Sequence, residues 1–443
     1  MVRILLASLL LCSAPALGPT ESADALRDKN WHQWRGPSAS GVAPFGDPPV
    51  TWSPTSHIRW RVEIPGAGTA TPIVWEDNVF ILTAVETTRT LSPPPTFPAP
   101  PPGSPQTTPP IAYYQFLVIC LDRSTGQVRW QQVASEVVPH EGHHRDHGYA
   151  SASPTTDGRH LYVSFGSRGI YCYDFSGNLQ WKRDLGRMHT RYGYGEGTSP
   201  VVHGDCLVVN WDHEEDSRTY VLDARTGATR WQTARDEVTS WATPLVVEHQ
   251  GVVQVITNAT KRTRSYDLAN GQLLWECGGQ TVNAIPSPVA ARDVVFCMSG
   301  FRGNAARALP LNARGDLTDS DRIVWRYDRD TPYVPSPLLY GDLLYFTKSN
   351  NAILSCLDAR TGKAHVAAER LPGLSNIYAS PVGAADRVYI TGRDGTTLVI
   401  KDAPQLEVLA TNRLDEPVDA SPAIVDRQIL VRGTRHLYCI EGE

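Results

Sequence analysis

The chain has no C-x-x-C pair, no adjacent cysteines and no apolar run of the roughly 20 residues that a spanning helix needs, and its charges are few. Each absence excludes something. Without closely spaced thiols there is no thiolate metal site, and without C-x-x-C-H there is no covalently attached haem. P-loop, H-E-x-x-H, protein-kinase and Ser-His-Asp signatures are also missing. Charged residues make up 20%, and 41 Lys plus Arg against 46 Asp plus Glu leave a formal charge of −5. That balance lacks the basic footprint of a nucleic-acid binder. What is abundant is punctuation: 35 Gly and 34 Pro in 443 residues argue against long helices and for many turns.

Met1-Val2-Arg3 is a short basic start, Ile4 to Cys12 an apolar core, and Ala14-Pro15-Ala16 or Ala16-Leu17-Gly18 a small-residue cleavage site. Residues 1–18 are therefore expected to be an export signal, leaving a periplasmic or secreted mature protein with no transmembrane segment, expected as a monomer. Leu11, just ahead of Cys12, is a poor lipidation signal, so lipoprotein anchoring is not expected. Seven cysteines remain: Cys120, Cys172, Cys206, Cys277, Cys297, Cys356 and Cys439. Four occupy one local frame, as in Ile119-Cys120-Leu121-Asp122 and Ser355-Cys356-Leu357-Asp358, which suits small buried strand residues better than a disulfide framework.

A Ser/Thr-Pro step followed by an apolar run recurs at Pro72, Pro154, Pro200, Pro244, Pro288, Pro337, Pro381 and Pro422. The spacings are 82, 46, 44, 44, 49, 44 and 41, and all but the first cluster near the period of a four-stranded propeller blade. The long first spacing has a cause. An insert between Glu86 and Tyr114 has a core, Leu91 to Pro110, holding ten prolines, which cannot form a ladder and should be a mobile surface loop. Within each unit three β-rich runs end in Asp, and an Asp-x-x-(Thr/Asn)-Gly turn then leads to a fourth. Gly126, Gly227, Gly271 and Gly362 supply the positive φ of that turn. Trp130, Trp231 and Trp275 follow four residues after their glycines, Trp181 and Trp325 end equivalent strands, and the repetition predicts blade-to-blade packing.

The last unit stops after three strands, while Ile58-Arg59-Trp60-Arg61-Val62 carries the fourth-strand pattern without the other three. Residues 58–64 should therefore pair beside 437–440 and close a ring. The expected fold is all-β, an eight-bladed propeller over 58–443 with a 19–57 extension ahead of it.

The turn-plus-Trp pattern resembles the tryptophan-docking motif of the pyrroloquinoline-quinone (PQQ) repeat, shared by quinoprotein alcohol dehydrogenases and BamB, over roughly residues 58–441. The stretch Trp31-His32-Gln33-Trp34-Arg35-Gly36-Pro37 also resembles a leader found in exported bacterial PQQ-like propellers. It is expected to pack on the propeller rather than form a ligand site. The resemblance to the dehydrogenases implies PQQ beside an adjacent-cysteine disulfide and a calcium ion. The cysteines are missing here and no calcium set aligns, so no cofactor is expected, with PQQ plus calcium the alternative.

Loops between the second and third strands and the links between blades share one rim, where a site would collect. Three constellations fall there. His140, His143, His144 and His147, with Glu141 or Asp146 nearby, are candidate ligands for zinc or copper. Blade three offers His189, His213 and Glu196 as candidates for acid–base chemistry, the acidic residues 212 and 214–216 for calcium, and Arg191 for binding at the rim. Tyr149, Glu196, Trp241, Asn283, Tyr333, Tyr378 and Asp419, just ahead of the innermost strands, with Arg302, Lys348 and Arg393, suit contact with a sugar, peptide or protein. The expected function is a non-catalytic scaffold binding a protein or a polymer such as polysaccharide through its rim. The alternative is a divergent quinoprotein dehydrogenase or a metal-dependent enzyme using residues 140–147.

Overall fold

Short β-rich runs separated by tight turns satisfy their backbone groups most simply by pairing with the next run in the chain. In the computed structural model, which describes residues 23–96 and 103–442, they form eight antiparallel sheets, seven of four strands and one with a fifth strand added. Blade one shows the plan: Ile73–Trp75, Asn78–Thr90, Ala112–Asp122 and Val128–Val137, paired in that order from the axis outward. The innermost strands meet around a circle, and Ile73–Trp75 touches the last of them, Ala423–Val425. Burial follows the same radius. Ile73–Trp75 is buried throughout, whereas an outer strand such as Thr229–Ala234 alternates exposed and half-buried residues.

The ring closes as the sequence predicts. Ile58–Glu63 pairs antiparallel with His436–Glu441, Trp60 opposite Cys439 and Val62 opposite Leu437. It becomes the outer strand of blade eight and removes a sheet edge that would otherwise stay open.

Tryptophans hold neighbouring blades together. The indole N–H of Trp60 donates to the carbonyl of Arg123 at 2.8 Å, and those of Trp130, Trp181, Trp231 and Trp325 do the same to Phe175, Ala224, Leu268 and Ala359. Each acceptor immediately follows the turn aspartate of the next blade. The indole then lies on the turn glycine: a Cβ at Gly126, Gly177, Gly227, Gly271 or Gly362 would sit 2.7–2.8 Å from a ring carbon. Gly177 belongs to this set although its turn departs from the common motif.

Trp275 also packs against the next blade, but it lacks the indole bond to that blade which the other five make. It donates instead to Gln254 Oε1 at 3.2 Å within its own blade. The next blade lacks the Asp-x-x-x-Gly turn, and its longer connection sends Gly315–Asp316 back to pair in parallel beside Trp275 and Glu276. Leu309, Leu311 and Leu317 then cover the indole. A wider loop has replaced the glycine shelf.

The insert is smaller than its expected 86–114 bounds. Pairing continues through Glu86–Tyr114 to Thr90–Ala112, because the residues before Leu91 are β-formers without proline. The returning limb is docked: Thr107 donates its N–H to the Tyr192 carbonyl at 2.9 Å and its hydroxyl to the Gly193 carbonyl at 2.6 Å.

The leader runs across the face opposite the rim. Val74 N–H donates to the Trp31 carbonyl, Thr156 N–H to His32 and Ala43 N–H to Gly383. Arg35 is buried at its centre, its guanidinium donating to the carbonyls of Pro381 at 2.6 Å and Pro337 at 2.8 Å. The seven described cysteines are all buried and unpaired. The expected signal, residues 1–18, lies outside the described residues. No described helix is long and apolar enough to cross a membrane.

Candidate functional site

The Ser/Thr-Pro steps that mark the repeat also build the wall of the central channel. Proline starts each inner strand, so the residue before it is held extended with its side chain at the neck of the channel. The N–H of Thr71 donates to Ser153 Oγ at 3.0 Å, and the relay passes through Ser199, Thr243, Ser287, Ser336 and Ser380 to Ser421 at 2.9–3.2 Å. Thr71 Oγ1 completes the circle by donating to the Ser421 carbonyl at 3.0 Å. All eight residues are buried. Seven of the eight N–H groups, from Thr71 round to Ser380, are thereby satisfied by the next blade's hydroxyl.

Above the ring lies a cavity of about 390 Å³, lined by Trp241, Tyr333, Tyr378, Tyr194 and Phe301 together with His144, Asp146, His147 and Asp419. Trp34 of the leader closes its lower end, with the indole N–H on Ser287 Oγ at 2.9 Å. The channel is thus a funnel open only on the rim side.

One ion network crosses the mouth. Arg393 donates Nε and Nη2 to the two oxygens of Asp419 at 2.6 and 2.9 Å, and Nη2 also reaches Asp146 Oδ1 at 3.1 Å. The guanidinium lies 4.0 Å over the Tyr378 ring, and the Tyr378 hydroxyl donates to Asp146 Oδ2 at 3.2 Å. Although desolvation opposes it, the Arg393 partnership holds the Asp146 carboxyl below its ordinary range. Arg191 donates to Asn283 Oδ1 at 3.2 Å, next to Tyr333, and Trp241 donates to the Gly195 carbonyl at 2.7 Å. Two carboxylates share the Arg393 guanidinium, so the mouth is aromatic and its charged groups are held in place.

A serine–histidine contact also lines the funnel, Ser151 Oγ to His147 Nδ1 at 2.9 Å. It lacks the features of an acyl-transfer pair. The other ring nitrogen, Nε2, has no hydrogen-bond partner instead of an orienting carboxylate. Burial, followed by the charges of His143 and His144, pushes the His147 imidazole down to about 4, too weak a base to activate an alcohol.

Of the expected rim residues, Trp241, Tyr333, Tyr378 and Asp419 line the funnel, while Asn283, Arg191 and Arg393 brace it. Tyr149 and Glu196 lie one step outward between blades two and three. Glu196 is a structural anchor rather than a contact residue, bonded to Arg168 Nη1 at 2.7 Å and to the Ser167 N–H and hydroxyl. Arg302 is exposed beside Phe301, and Lys348 pairs with Asp330 at 2.8 Å; neither lines the funnel.

The four histidines expected to share a metal do not converge. His143 donates Nδ1–H to the His144 carbonyl, His144 packs edge-on to Tyr194, and His147 turns to Ser151. His140 lies with Glu141 and His189 instead. Two of the four acidic residues at 212 and 214–216 of blade three are likewise already committed, while Glu215 and Asp216 are exposed. Asp212 is fully buried against Arg235 at 2.7 Å, and Glu214 accepts the N–H and hydroxyl of Thr239. Sequence reasoning missed Trp34, Tyr194 and Phe301 as lining residues, and only the repeated leader and link positions could have signalled them.

Fold and funnel together define a PQQ-like β-propeller of eight blades with one end of its axis plugged. Residues 115–368, more than half of the chain, match the family model described as outer membrane protein assembly factor BamB, and the chain belongs to that family. No curated protein matches it in sequence. Among solved structures it is similar to BamB from Moraxella catarrhalis, with 13% identity, TM-score 0.53, and coverage of 76% of this chain and 96% of that one. Quinohemoprotein alcohol dehydrogenase from Comamonas testosteroni has 11% identity and TM-score 0.61, covering 95% of this chain and 82% of that one. A europium-containing methanol dehydrogenase has 10% identity and TM-score 0.61, covering 91% and 89%. Identities this low speak for the fold alone.

Proposed function

We propose that the chain is an exported, non-catalytic binding scaffold that engages a protein or polysaccharide partner at the funnel mouth. The observation that carries this reading is the funnel itself: aromatic faces around the opening, a hydroxyl ring below them, and a Trp34 floor. Aromatic faces and fixed polar groups in a blind recess suit a projecting side chain or sugar ring, which leaves by the way it entered. Membership of the BamB family and the opening residues 1–18 support an envelope location.

The residues of the funnel do not fit PQQ. That cofactor carries three carboxylates, yet the ionised groups lining the cavity are Asp146 and Asp419, and no Lys or Arg is among the lining residues. Arg393 has turned its Nε and Nη2 to those same two carboxylates, which also withdraws them from a calcium ion. The dehydrogenase reading is therefore disfavoured by charge, in addition to the absence of adjacent cysteines.

Capture of partners from envelope extract by the mature chain tests the proposal. Trp241→Ala combined with Tyr333→Ala should lose the captured partner while the melting temperature stays close to wild type. Equal capture by the variant would remove the funnel mouth as the binding surface. Dye reduction with alcohols after reconstitution with PQQ and calcium would overturn the non-catalytic reading.

A further inference from the structure

Outside the funnel, the link into blade two and the link into blade three bring His140, Glu141 and His189 together. One potential ligand atom from each lies within 4.8 Å of the others. We propose that these three residues form a divalent transition-metal site of the zinc class, with one coordination position open to the adjoining cavity of about 470 Å³.

The donor set is two imidazoles and a carboxylate, a combination that suits zinc and leaves a tetrahedral ion one free position. Two of the ligands are already oriented by groups behind them. His140 donates its Nε2–H to the Met188 carbonyl at 2.7 Å, which fixes the tautomer and leaves the Nδ1 lone pair for an ion. Glu141 is held by the Thr190 N–H at 3.0 and 3.1 Å and by the Thr190 hydroxyl at 2.9 Å. Hydrogen-bonded ligands of this kind are the usual outer shell of a metal site.

His189 is the adjustable member. Its Nδ1 lies 3.3 Å from Glu141 Oε1, its Nε2 lies 3.9 Å from Glu215 Oε1, and its side chain is 49% exposed. Ligand bonds of about 2.0–2.1 Å place tetrahedral donors roughly 3.3 Å apart, so the Glu141–His189 pair already has the separation of two ligands on one ion, with the third ligand atom, from His140, within 4.8 Å of both. The Pro-rich insert forms a further wall through Gln106 and Thr107. The ion would tie together two links that the strands alone leave separate.

The test uses the mature full chain after treatment with chelator. Titration with zinc chloride should give one ion per chain by calorimetry, and cobalt chloride should produce a visible absorption band. His140→Ala or His189→Ala should weaken zinc binding at least about 100-fold. Thr190→Val, acting through Glu141, should weaken it about tenfold, the scale of a lost outer-shell partner. His143→Ala should change it less than about twofold, since that ring faces Tyr149 and the His144 carbonyl. Unchanged circular dichroism in His189→Ala, a half-exposed position, separates ligand loss from misfolding. Absence of both the heat and the cobalt band, or zinc binding that survives the His140→Ala, His189→Ala double variant, would overturn the proposal.

Discussion

At the residue scale, the most exacting positions are the turn glycines beneath the tryptophans. Gly227 and Gly251 have similar backbones, with φ of +71° and +76°. A Cβ at Gly227 would meet the Trp181 ring at 2.7 Å, whereas nothing lies within 4 Å of one at Gly251. Gly251→Ala should therefore cost only the strain of the left-handed conformation, about 1 kcal/mol, and Gly227→Ala about 2–4 kcal/mol by adding the lost blade contact. Urea denaturation of the two variants, compared at equal m-value, measures the difference. Equal losses would mean that the indole contributes little.

His32 gives a second test at this scale. It is 5% exposed, packs edge-on to Trp75, and has an Nδ1 without a partner. Burial, with a smaller contribution from the charge of Arg27, lowers its imidazole from 6.5 to about 4. Between those values the unfolded chain binds a proton that the folded chain refuses, so stability is fully present above pH 6.5 and falls as the pH drops towards 4. The loss attributable to this group is up to about 3 kcal/mol. His32→Gln should flatten that part of the stability profile, and an unchanged slope would place the acid sensitivity elsewhere.

At the scale of elements, the outer strand Ile58–Glu63 and the leader are the non-repeating parts that complete the repeats. A chain beginning at residue 66 would lose the strand beside His436–Glu441 and the Trp60 contact with Gly126. It should melt well below the mature protein and associate through the open edge, as seen by differential scanning calorimetry and light scattering. The same elements show what a sequence conveys. Closure could be read because each end lacked what the other had, and the indole–glycine contacts because one turn recurs at a fixed offset. Trp275 packs on the next blade as its regular frame implies, but its different indole partner was not legible, because the irregularity lies some forty residues onward in the connection that covers it. His140 and His189 were not paired for a related reason: the histidines dense in sequence point apart, and the partner comes from the next link. Ser/Thr-Pro was legible as a count of blades, but its hydroxyl relay was not, since hydrogen bonds between blades have no local signature.

At the scale of the whole molecule, the repeats make a frame whose specific chemistry lies off the repeat: a Trp34 plug, an Asp146–Arg393–Asp419 brace, and rim aromatics contributed by separate blades. No two neighbouring blades would reproduce the funnel, so its binding capacity should appear only with the closed ring. The register Ile58 opposite Ile440 has a consequence for biogenesis. As the polypeptide is made from its amino end, Ile58–Glu63 must wait for nearly the entire remainder before its partner exists. During that interval a β-prone segment stays exposed, and completion of the fold is governed by the arrival of His436–Glu441, which gives holding chaperones a defined period in which to act.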